Sequence, residues 1–214
     1  MFTRISKMGP QKKIALVVGA GAFGTSIAKI LSHNFDKVIL KVRSKDVYES
    51  MLKGENTVYL PGHDLPKNLV PVLDWDAVDK YPVEDIELLV SGLPTKAIAN
   101  YFKNEQERYN EYFKRGVPLV SLSKGIDAET LELPDDLFFD LFPLYRDQLT
   151  FLSGPSFAKE IMEEQITLVT LAGRSRTVIK DVMASLETPY FKCMGSYDIK
   201  GVLLGGALKN VIAI

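Results

Sequence analysis

The sequence predicts an α/β protein with a doubly wound, mostly parallel sheet that carries helices on both faces. From residue 14 onward, short apolar runs alternate with segments of helical period, which is the pattern of βαβ units. No repeat or low-complexity stretch interrupts this alternation. The chain has 214 residues, of which 46% are hydrophobic, so it can bury a sizeable core without covalent staples.

The first half of the sheet is predicted from apolar runs of strand length. A helix follows the first run and starts near Ala22, because apolar residues recur at helical spacing from Ile27 onward. A long helix is expected between the fourth and fifth runs, with an aromatic stripe from Tyr101 to Phe113 that packs in the core. The predicted strands are Ile14–Val18, Val38–Val42, Leu69–Val72, Ile86–Ser91 and Val117–Leu122.

The second half of the chain is expected to extend this sheet. One helix is predicted from about Ser156 and another over Val178–Leu186. The segment from Gly201 has helical spacing, and it stops at Ile214 without a capping residue, which suggests a helix cut short. The predicted strands here are Leu149–Ser153, Ile166–Leu171 and Tyr190–Cys193.

Composition and charge argue against several classes of function. The 26 basic and 27 acidic residues give a net charge of −1, which lacks the positive excess typical of nucleic-acid binding. The single cysteine, Cys193, cannot form an intrachain disulfide, and His33 and His63 lie far apart, so no metal site is expected. No apolar run approaches the roughly 20 residues of a membrane span. The first thirteen residues lack the pattern of a secretory signal, and we expect a cytoplasmic protein.

A glycine-rich motif lies between the first predicted strand and the first predicted helix. Residues 19–24, GAGAFG, match the pattern G-x-G-x-x-G. Gly19 would permit a tight turn, Gly21 would let backbone N–H groups approach a pyrophosphate, and Gly24 would let helix and strand pack closely. In this context the motif predicts a Rossmann-like dinucleotide-binding site, and the alternative is a tight turn that binds no ligand.

The residues after the second predicted strand bear on the choice of cofactor. Folds that bind NAD often carry an acidic residue about 20 positions after the motif, where it accepts hydrogen bonds from the ribose 2′-hydroxyl. Here the stretch is KVRSK, residues 41–45, with Arg43 at its centre. A guanidinium suits a 2′-phosphate, so NADP is expected in preference to NAD. The alternative is a solvated basic turn.

Three further polar positions fall where α/β sheets bind ligands. Lys124 follows the fifth predicted strand, and ligands lie beyond the carboxyl ends of such strands, although a solvated lysine is the alternative. Ser156 is a plausible N-cap of the next helix, whose first amides could hold a polar ligand group. Lys209 lies in an otherwise apolar helix beside two glycines, and a charge there is costly unless it is used.

Taken in order, these motifs resemble those of the bacterial-type NAD(P)-dependent glycerol-3-phosphate dehydrogenases. The matching segments are GAGAFGTSIA, NTVYLPG at residues 56–62, LSKGI, LSGPSFAKE and DIKGVLLGGALKNVIAI at residues 198–214. The resemblance implies hydride transfer between dihydroxyacetone phosphate and sn-glycerol 3-phosphate with NADP or NAD, a reaction that supplies glycerophospholipid precursors. Hydroxyacid or 6-phosphogluconate dehydrogenases, also two-domain NADP-dependent enzymes, are the alternative within oxidoreductases.

The resemblance also implies roles for individual residues. Lys209 matches the catalytic lysine, which accepts the proton when the alcohol is oxidised and must therefore have a pKa below the usual value of about 10.4. The implied substrate contacts are Lys124, Gly154 and Ser156. In addition to the motif glycines, the implied cofactor contacts are Ala22, Phe23, Arg43, Lys124 and Ala158.

Two features depart from the family pattern. Leu203 stands where the family usually has a glutamate, and nothing in the chain matches the family's helical substrate domain. We therefore expect a flexible tail over residues 1–13, an NAD(P)-binding domain over 14–200 and the start of a connecting helix over 201–214. Such a fragment would turn over little or no substrate, and the full-length enzyme could form a homodimer. The alternative outside enzymes is a non-catalytic NAD(P)-sensing module.

Overall fold

The computed structural model describes residues 13–212, with side chains through Leu208. Apart from Lys13, the tail expected over residues 1–13 lies outside this range. In the described part of the chain, eight strands form one sheet. They are β1 (Ile14–Val18), β2 (Lys37–Lys41), β3 (Leu69–Val72), β4 (Ile86–Ser91), β5 (Leu119–Ser121), β6 (Leu149–Ser153), β7 (Thr167–Gly173) and β8 (Phe191–Ser196).

The strand order is β3-β2-β1-β4-β5-β6-β7-β8. Every neighbouring pair is parallel except β6 and β7, which run antiparallel. The order changes direction at β1, which pairs with β2 on one side and with β4 on the other. The crevice outside the carboxyl ends of the strands at such a switch point is where open α/β sheets bind ligands. The predicted Rossmann-like fold class is confirmed.

Helices cover both faces of the sheet. They are α1 (Ala22–Leu31), α2 (Lys45–Leu52), α3 (Trp75–Val78), α4 (Thr95–Asn104), α5 (Gln106–Lys114), α6 (Pro134–Leu141), α7 (Ala158–Met162), α8 (Arg176–Leu186) and α9 (Ile199–Ile212). Short 3-10 helical turns at Val83–Asp85 and Arg146–Gln148 lead into β4 and β6. Within residues 13–212, none of these helices has the length and apolar character needed to cross a bilayer.

Each face of the sheet has its own apolar core, because successive residues of a strand point to opposite faces. In β1, Ala15 and Val17 join the core under α1, α2, α7 and α8. Ile14 and Leu16 join the opposite core, which lies under α3 to α6 and α9. The second core is rich in aromatic side chains, as predicted for the stripe: Phe102, Tyr109, Phe113, Phe138, Phe142 and Phe151 are all fully buried.

The long helix predicted between β4 and β5 is instead two helices. α4 ends at Asn104 and α5 starts at Gln106, because the backbone of Glu105 leaves the helical region at φ −107° and ψ 14°. The break lets both helices turn aromatic rings into the same core, where the ring centres of Phe102 and Tyr109 lie 4.6 Å apart. Aromatic pairs at this spacing stabilise a core beyond the area they bury.

The helix predicted from about Ser156 starts two residues later, at Ala158. Its N-cap residue is Phe157, so the prediction that Ser156 caps this helix is wrong. The reason lies in the preceding turn, where the Ser156 N–H donates to the Gly154 carbonyl at 2.9 Å. Ser156 therefore belongs to the loop after β6, and its hydroxyl is left for another partner.

Candidate functional site

A cleft of about 430 Å³ opens at the carboxyl ends of β1, β4, β5 and β6. We define it by its lining residues, which are 21–24, 92–94, 122–124 and 156–158. A larger depression of about 1210 Å³ lies between residues 78–83 and α5, and it contains none of the motifs found in the sequence. Its central arginine, Arg108, is already paired with Asp79 and Glu105. The cleft is therefore the better candidate for the functional site.

The three motif glycines differ in what a side chain would meet. Gly19 has φ +104°, which favours glycine, and a Cβ there would lie 2.7 Å from the Gly92 carbonyl oxygen. A Cβ on Gly24 would overlap the carbonyl oxygen of Gly19. In contrast, no atom lies within 4 Å of a Cβ built on Gly21. The first and third glycines thus serve the turn and the packing, while the second leaves open space in the cleft.

The backbone N–H groups at the start of α1 make this open space polar. Gly21 is the N-cap residue, and it has no side chain with which to cap the helix. The first turn of α1 contains no acidic residue. Because the first N–H groups of a helix have no acceptor within the helix and carry partial positive charge, this end of the cleft suits an anion.

Lys124 lies in the cleft between the loops that follow β5 and β6. Its ammonium is 4.8 Å from the centre of the Phe23 ring and donates a long hydrogen bond of 3.4 Å to the Gly154 carbonyl. The Lys124 backbone is fixed by Thr95, whose hydroxyl donates to the Lys124 carbonyl at 2.9 Å. The structure thus brings Lys124 and Phe23 together and places Gly154 beneath them.

Ser156 contributes a polar atom without a partner. The residue is 4% exposed, and its hydroxyl makes no hydrogen bond within the described residues. A buried hydroxyl without a partner costs free energy, which a ligand can recover by pairing with it. Ala158, which starts α7, lines the cleft beside it.

The basic residues at the end of β2 and directly after it have separate environments, and none of them lines the cleft. Lys41 places its ammonium 5.3 Å from the centre of the Trp75 ring, and burial lowers the pKa of Lys41. Lys45 lies 3.7 Å from the carboxylate of Glu49. Arg43 is exposed, and it has no hydrogen bond or ion pair with the described part of the chain. Of the three, Arg43 is the one that makes no hydrogen bond or ion pair within the described residues.

Helix α9, which carries Lys209, packs against β6 through a glycine. A Cβ on Gly206 would overlap the hydroxyl oxygen of Ser153 in its present rotamer, so the glycine lets the helix approach β6 closely without moving that hydroxyl. Leu203, which replaces the usual glutamate, is buried in the aromatic core, where an apolar side chain is well suited. The side chain of Lys209 lies outside the described residues, and its backbone lies within α9.

Gly92 lines the cleft and was not singled out from the sequence. A Cβ on Gly92 would lie 3.0 Å from the Gly19 carbonyl oxygen and 3.2 Å from the Gly24 Cα, so Gly92 completes the close packing under the motif. The Gly92 N–H also donates to the Val18 carbonyl at 2.7 Å. The available signal was a lone glycine directly after the predicted fourth strand.

Residues 13–179 match the family described as NAD-dependent glycerol-3-phosphate dehydrogenase N-terminus. A relative from Leptospira biflexa, named as an NAD(P)+ glycerol-3-phosphate dehydrogenase, is 36% identical over 200 residues, which cover 92% of this chain and 58% of the relative. The crystal structure of glycerol-3-phosphate dehydrogenase from Coxiella burnetii matches with a TM-score of 0.78 and 25% identity, covering 95% of this chain and 60% of that one. The structure of glycerol-3-phosphate dehydrogenase from Saccharomyces cerevisiae matches with a TM-score of 0.76 and 26% identity, covering 94% of this chain and 61% of that one.

The chain thus spans about three fifths of the length of these relatives. The family match includes every strand from β1 to β7 and the whole cleft. The chain belongs to the NAD-dependent glycerol-3-phosphate dehydrogenase family, whose N-terminal part it matches.

Proposed function

We propose that this chain is the NAD(P)-binding part of an oxidoreductase that interconverts dihydroxyacetone phosphate and sn-glycerol 3-phosphate in the cytoplasm. The observation that carries the proposal is the convergence of the glycine-rich turn, Lys124 and Ser156 on one cleft at the switch point of the sheet. The cofactor-binding domain is proposed to cover residues 14–200. Its boundary lies in the first turn of α9, which starts at Ile199.

The cleft fits the phosphate part of a dinucleotide. Gly21 leaves room for a pyrophosphate, and the first N–H groups of α1 can donate hydrogen bonds to it. Phe23 and Ala158 add apolar side chains to the lining of the cleft. Arg43, exposed after β2, is the proposed partner of a ribose 2′-phosphate, which makes NADP the preferred cofactor and NAD the second.

Lys124, Gly154 and Ser156 are the proposed substrate contacts. The Lys124 ammonium can attract the negative charge of the substrate or of its reacting oxygen, since preorganised charge is most effective in a closed site. The unpaired Ser156 hydroxyl can donate to the substrate or accept from it. Gly154 contributes through its carbonyl, which already accepts from Lys124 and thereby fixes the ammonium.

Lys209 is the proposed acid and base. When bound, the nicotinamide cofactor supplies or accepts the hydride. Lys209 gives a proton to the carbonyl oxygen during reduction and takes it back from the hydroxyl during oxidation. The backbone of α9 supports this role, because Gly206, less than one turn before Lys209, lies against Ser153 at the end of β6.

The role of Lys209 is tested by Lys209→Ala in a form of the protein that reduces dihydroxyacetone phosphate. We expect loss of most turnover, because general acid–base catalysis typically contributes about 100-fold or more. The affinity for NADPH, measured by fluorescence titration, should stay within about twofold of the unsubstituted protein. An alanine variant that keeps its turnover would contradict the assignment.

A further inference from the structure

Asn56 is a fully buried amide in the segment between α2 and β3. Its Nδ2 group donates to the carbonyl oxygen of Ala20 at 3.0 Å and to the hydroxyl of Thr25 at 2.9 Å. Its Oδ1 atom accepts from the backbone N–H of Tyr59 at 3.3 Å. Both donor hydrogens and the acceptor are therefore in use, and two of the three bonds go to the glycine-rich turn and α1.

The hydrogen bond from Asn56 to the Ala20 carbonyl fixes the orientation of the Ala20–Gly21 peptide at the cleft. All peptide bonds of the described residues are trans, so the C=O of Ala20 and the N–H of Gly21 point in opposite directions. Because Asn56 holds the Ala20 carbonyl, it also directs the Gly21 N–H to the opposite side of the turn. Gly21 lines the cleft, and the space beside it is open.

The segment around Asn56 is itself well anchored. The Leu65 N–H donates to the Gly54 carbonyl at 2.8 Å, which closes the loop at its base. The Gly62 N–H donates to the Glu55 carboxylate at 2.5 Å. Leu60 is buried, and its N–H donates to the Asn56 carbonyl at 2.8 Å. Asn56 is thus a preorganised support rather than a freely rotating side chain.

We infer that Asn56 is a positioning residue for the cofactor pyrophosphate: it fixes the Ala20–Gly21 peptide so that the Gly21 N–H is presented to the anion. The inference rests on the proposed function, since it assumes that the cleft binds a dinucleotide. Asn56 acts through the backbone and does not line the cleft. Preorganised donors cost less to order when the ligand binds, so losing this support should weaken affinity.

The test compares Asn56→Ala with Asn68→Ala in the 214-residue chain. Asn68 is the control, because its amide also donates two hydrogen bonds, here to the turn that follows α1, at the carbonyls of Ser32 (2.9 Å) and Phe35 (3.0 Å). It lies at the end of α1 remote from the cleft. Thermal unfolding without ligand gives the structural cost of each change, and titrations give the affinities for NADPH and for adenosine 2′-monophosphate.

We expect Asn56→Ala to weaken NADPH binding by about tenfold or more, while binding of adenosine 2′-monophosphate, which has no pyrophosphate, changes by less than about twofold. Asn68→Ala should lower the unfolding temperature to a similar degree and leave both affinities unchanged. If Asn56→Ala is too unstable to titrate, Asn56→Leu keeps a branched side chain of similar size, removes both donors and adds no charge, and the same selective loss is expected.

Two results would overturn the inference. One is wild-type NADPH affinity in the Asn56 variants, and the other is an equal loss of affinity in Asn68→Ala, which would reflect general destabilisation. A wild-type chain that binds neither NADPH nor NADH would instead contradict the proposed function, and the inference with it. These outcomes are distinguished by titrating the wild-type chain first.

Discussion

Gly21 and Gly24 lie three residues apart, yet a methyl group would meet very different surroundings at the two positions. At Gly24 it would overlap the Gly19 carbonyl, so Gly24→Ala should destabilise the fold by about 1–3 kcal/mol through overpacking. At Gly21 the space is open and φ is −68°, which alanine adopts freely, so Gly21→Ala should change stability by less than about 0.5 kcal/mol. Thermal or chemical denaturation of the two variants checks both expectations.

Gly21→Ala also tests the use of the cleft. Its methyl group would occupy the space proposed for the pyrophosphate, so NADPH affinity should fall by about tenfold despite the unchanged stability. Equal NADPH affinity in Gly21→Ala and the wild-type chain would show that the pyrophosphate does not approach this glycine.

Arg43 and Lys45 offer a matched pair for the cofactor preference. Arg43 has no partner in the described part of the chain, whereas Lys45 lies near Glu49. Arg43→Gln should weaken NADPH binding by about tenfold, close to 1.4 kcal/mol, and leave NADH binding unchanged. Lys45→Gln should affect neither cofactor. If parallel titrations show that Arg43→Gln loses the same affinity for NADPH and for NADH, Arg43 does not bind the 2′-phosphate.

At the residue scale, the sequence predicted those features whose cause is local. The motif glycines were found because their spacing reflects a tight turn between a strand and a helix. Gly92 was not identified, and Asn56 was noted only as the first residue of the NTVYLPG segment, because each acts on the turn from a remote part of the chain. The unpaired hydroxyl of Ser156 was missed as well, since the choice between capping and facing the cleft depends on the turn that precedes it.

At the scale of elements, Lys200 ties the start of α9 to α6. Its ammonium lies 3.0 Å from the carboxylate of Asp135 and 2.6 Å from that of Asp136. The Asp135 side chain is only 3% exposed, and burial raises its pKa. For Lys200, burial lowers the pKa, but hydrogen bonds to Asp136 and Asp135 outweigh it and raise the pKa. These two ion pairs therefore fix the start of α9, the helix that carries Lys209.

The ion pair between Lys200 and buried Asp135 predicts that Lys200→Met loses stability in a pH-dependent way. The folded pKa of Asp135 lies above the usual value of about 3.9, so its ionisation costs stability as pH rises through that folded pKa. Lys200 offsets this cost. Removing it should cost about 1–3 kcal/mol at pH 7 and less at pH 4, because the raised pKa of Asp135 increases the protonated fraction of its carboxyl as pH falls.

Unfolding free energies of Lys200→Met at the two pH values check this expectation. Lys192→Met is the control, because Lys192 pairs with Glu187 where both side chains are exposed, and its loss should matter little at either pH. Adding Asp135→Asn to Lys200→Met should remove most of the pH dependence. A Lys200→Met deficit that is the same at pH 4 and pH 7 would contradict the account.

Predicted and observed elements differ where tertiary packing decides the outcome. The apolar residues of α4 and α5 keep one helical phase from Ile98 to Phe113, so this phase does not predict the break at Glu105, which packing in the aromatic core explains. The antiparallel direction of β7 was not predicted either, because a buried strand has the same apolar pattern in both directions. β1 is observed with the predicted bounds, since its run of five buried residues leaves no other choice.

At the scale of the whole molecule, one sheet face near β7 and β8, here called the open face, is only partly covered by the described residues. Leu168 and Met194 point to this face and are 50% and 58% exposed. Leu204 and Leu208 of α9 are partly exposed as well. An apolar surface of this kind favours association, and we expect the isolated chain to self-associate as concentration rises. The side chains of the apolar residues 211–214 lie outside the described residues.

Light scattering across a range of concentrations tests this expectation. Leu168→Ser combined with Met194→Ser should reduce association, because both changes lie on the open face and affect neither core. Serine substitutions at Leu144 and Ile166, which are also exposed but lie outside β7 and β8, serve as the control. A clean monomer of the unsubstituted chain at every concentration would reject the expectation.

The cleft is proposed to bind a dinucleotide, and Arg43 is proposed to set a preference for NADPH. The most direct test titrates the chain with NADPH and with NADH while following the fluorescence of Trp75, the single tryptophan of the sequence. We expect saturable binding of both cofactors, with a Kd for NADPH at least about tenfold lower than that for NADH, a difference of about 1.4 kcal/mol. Equal affinities would contradict the role of Arg43, and binding of neither cofactor would contradict the assignment of the cleft.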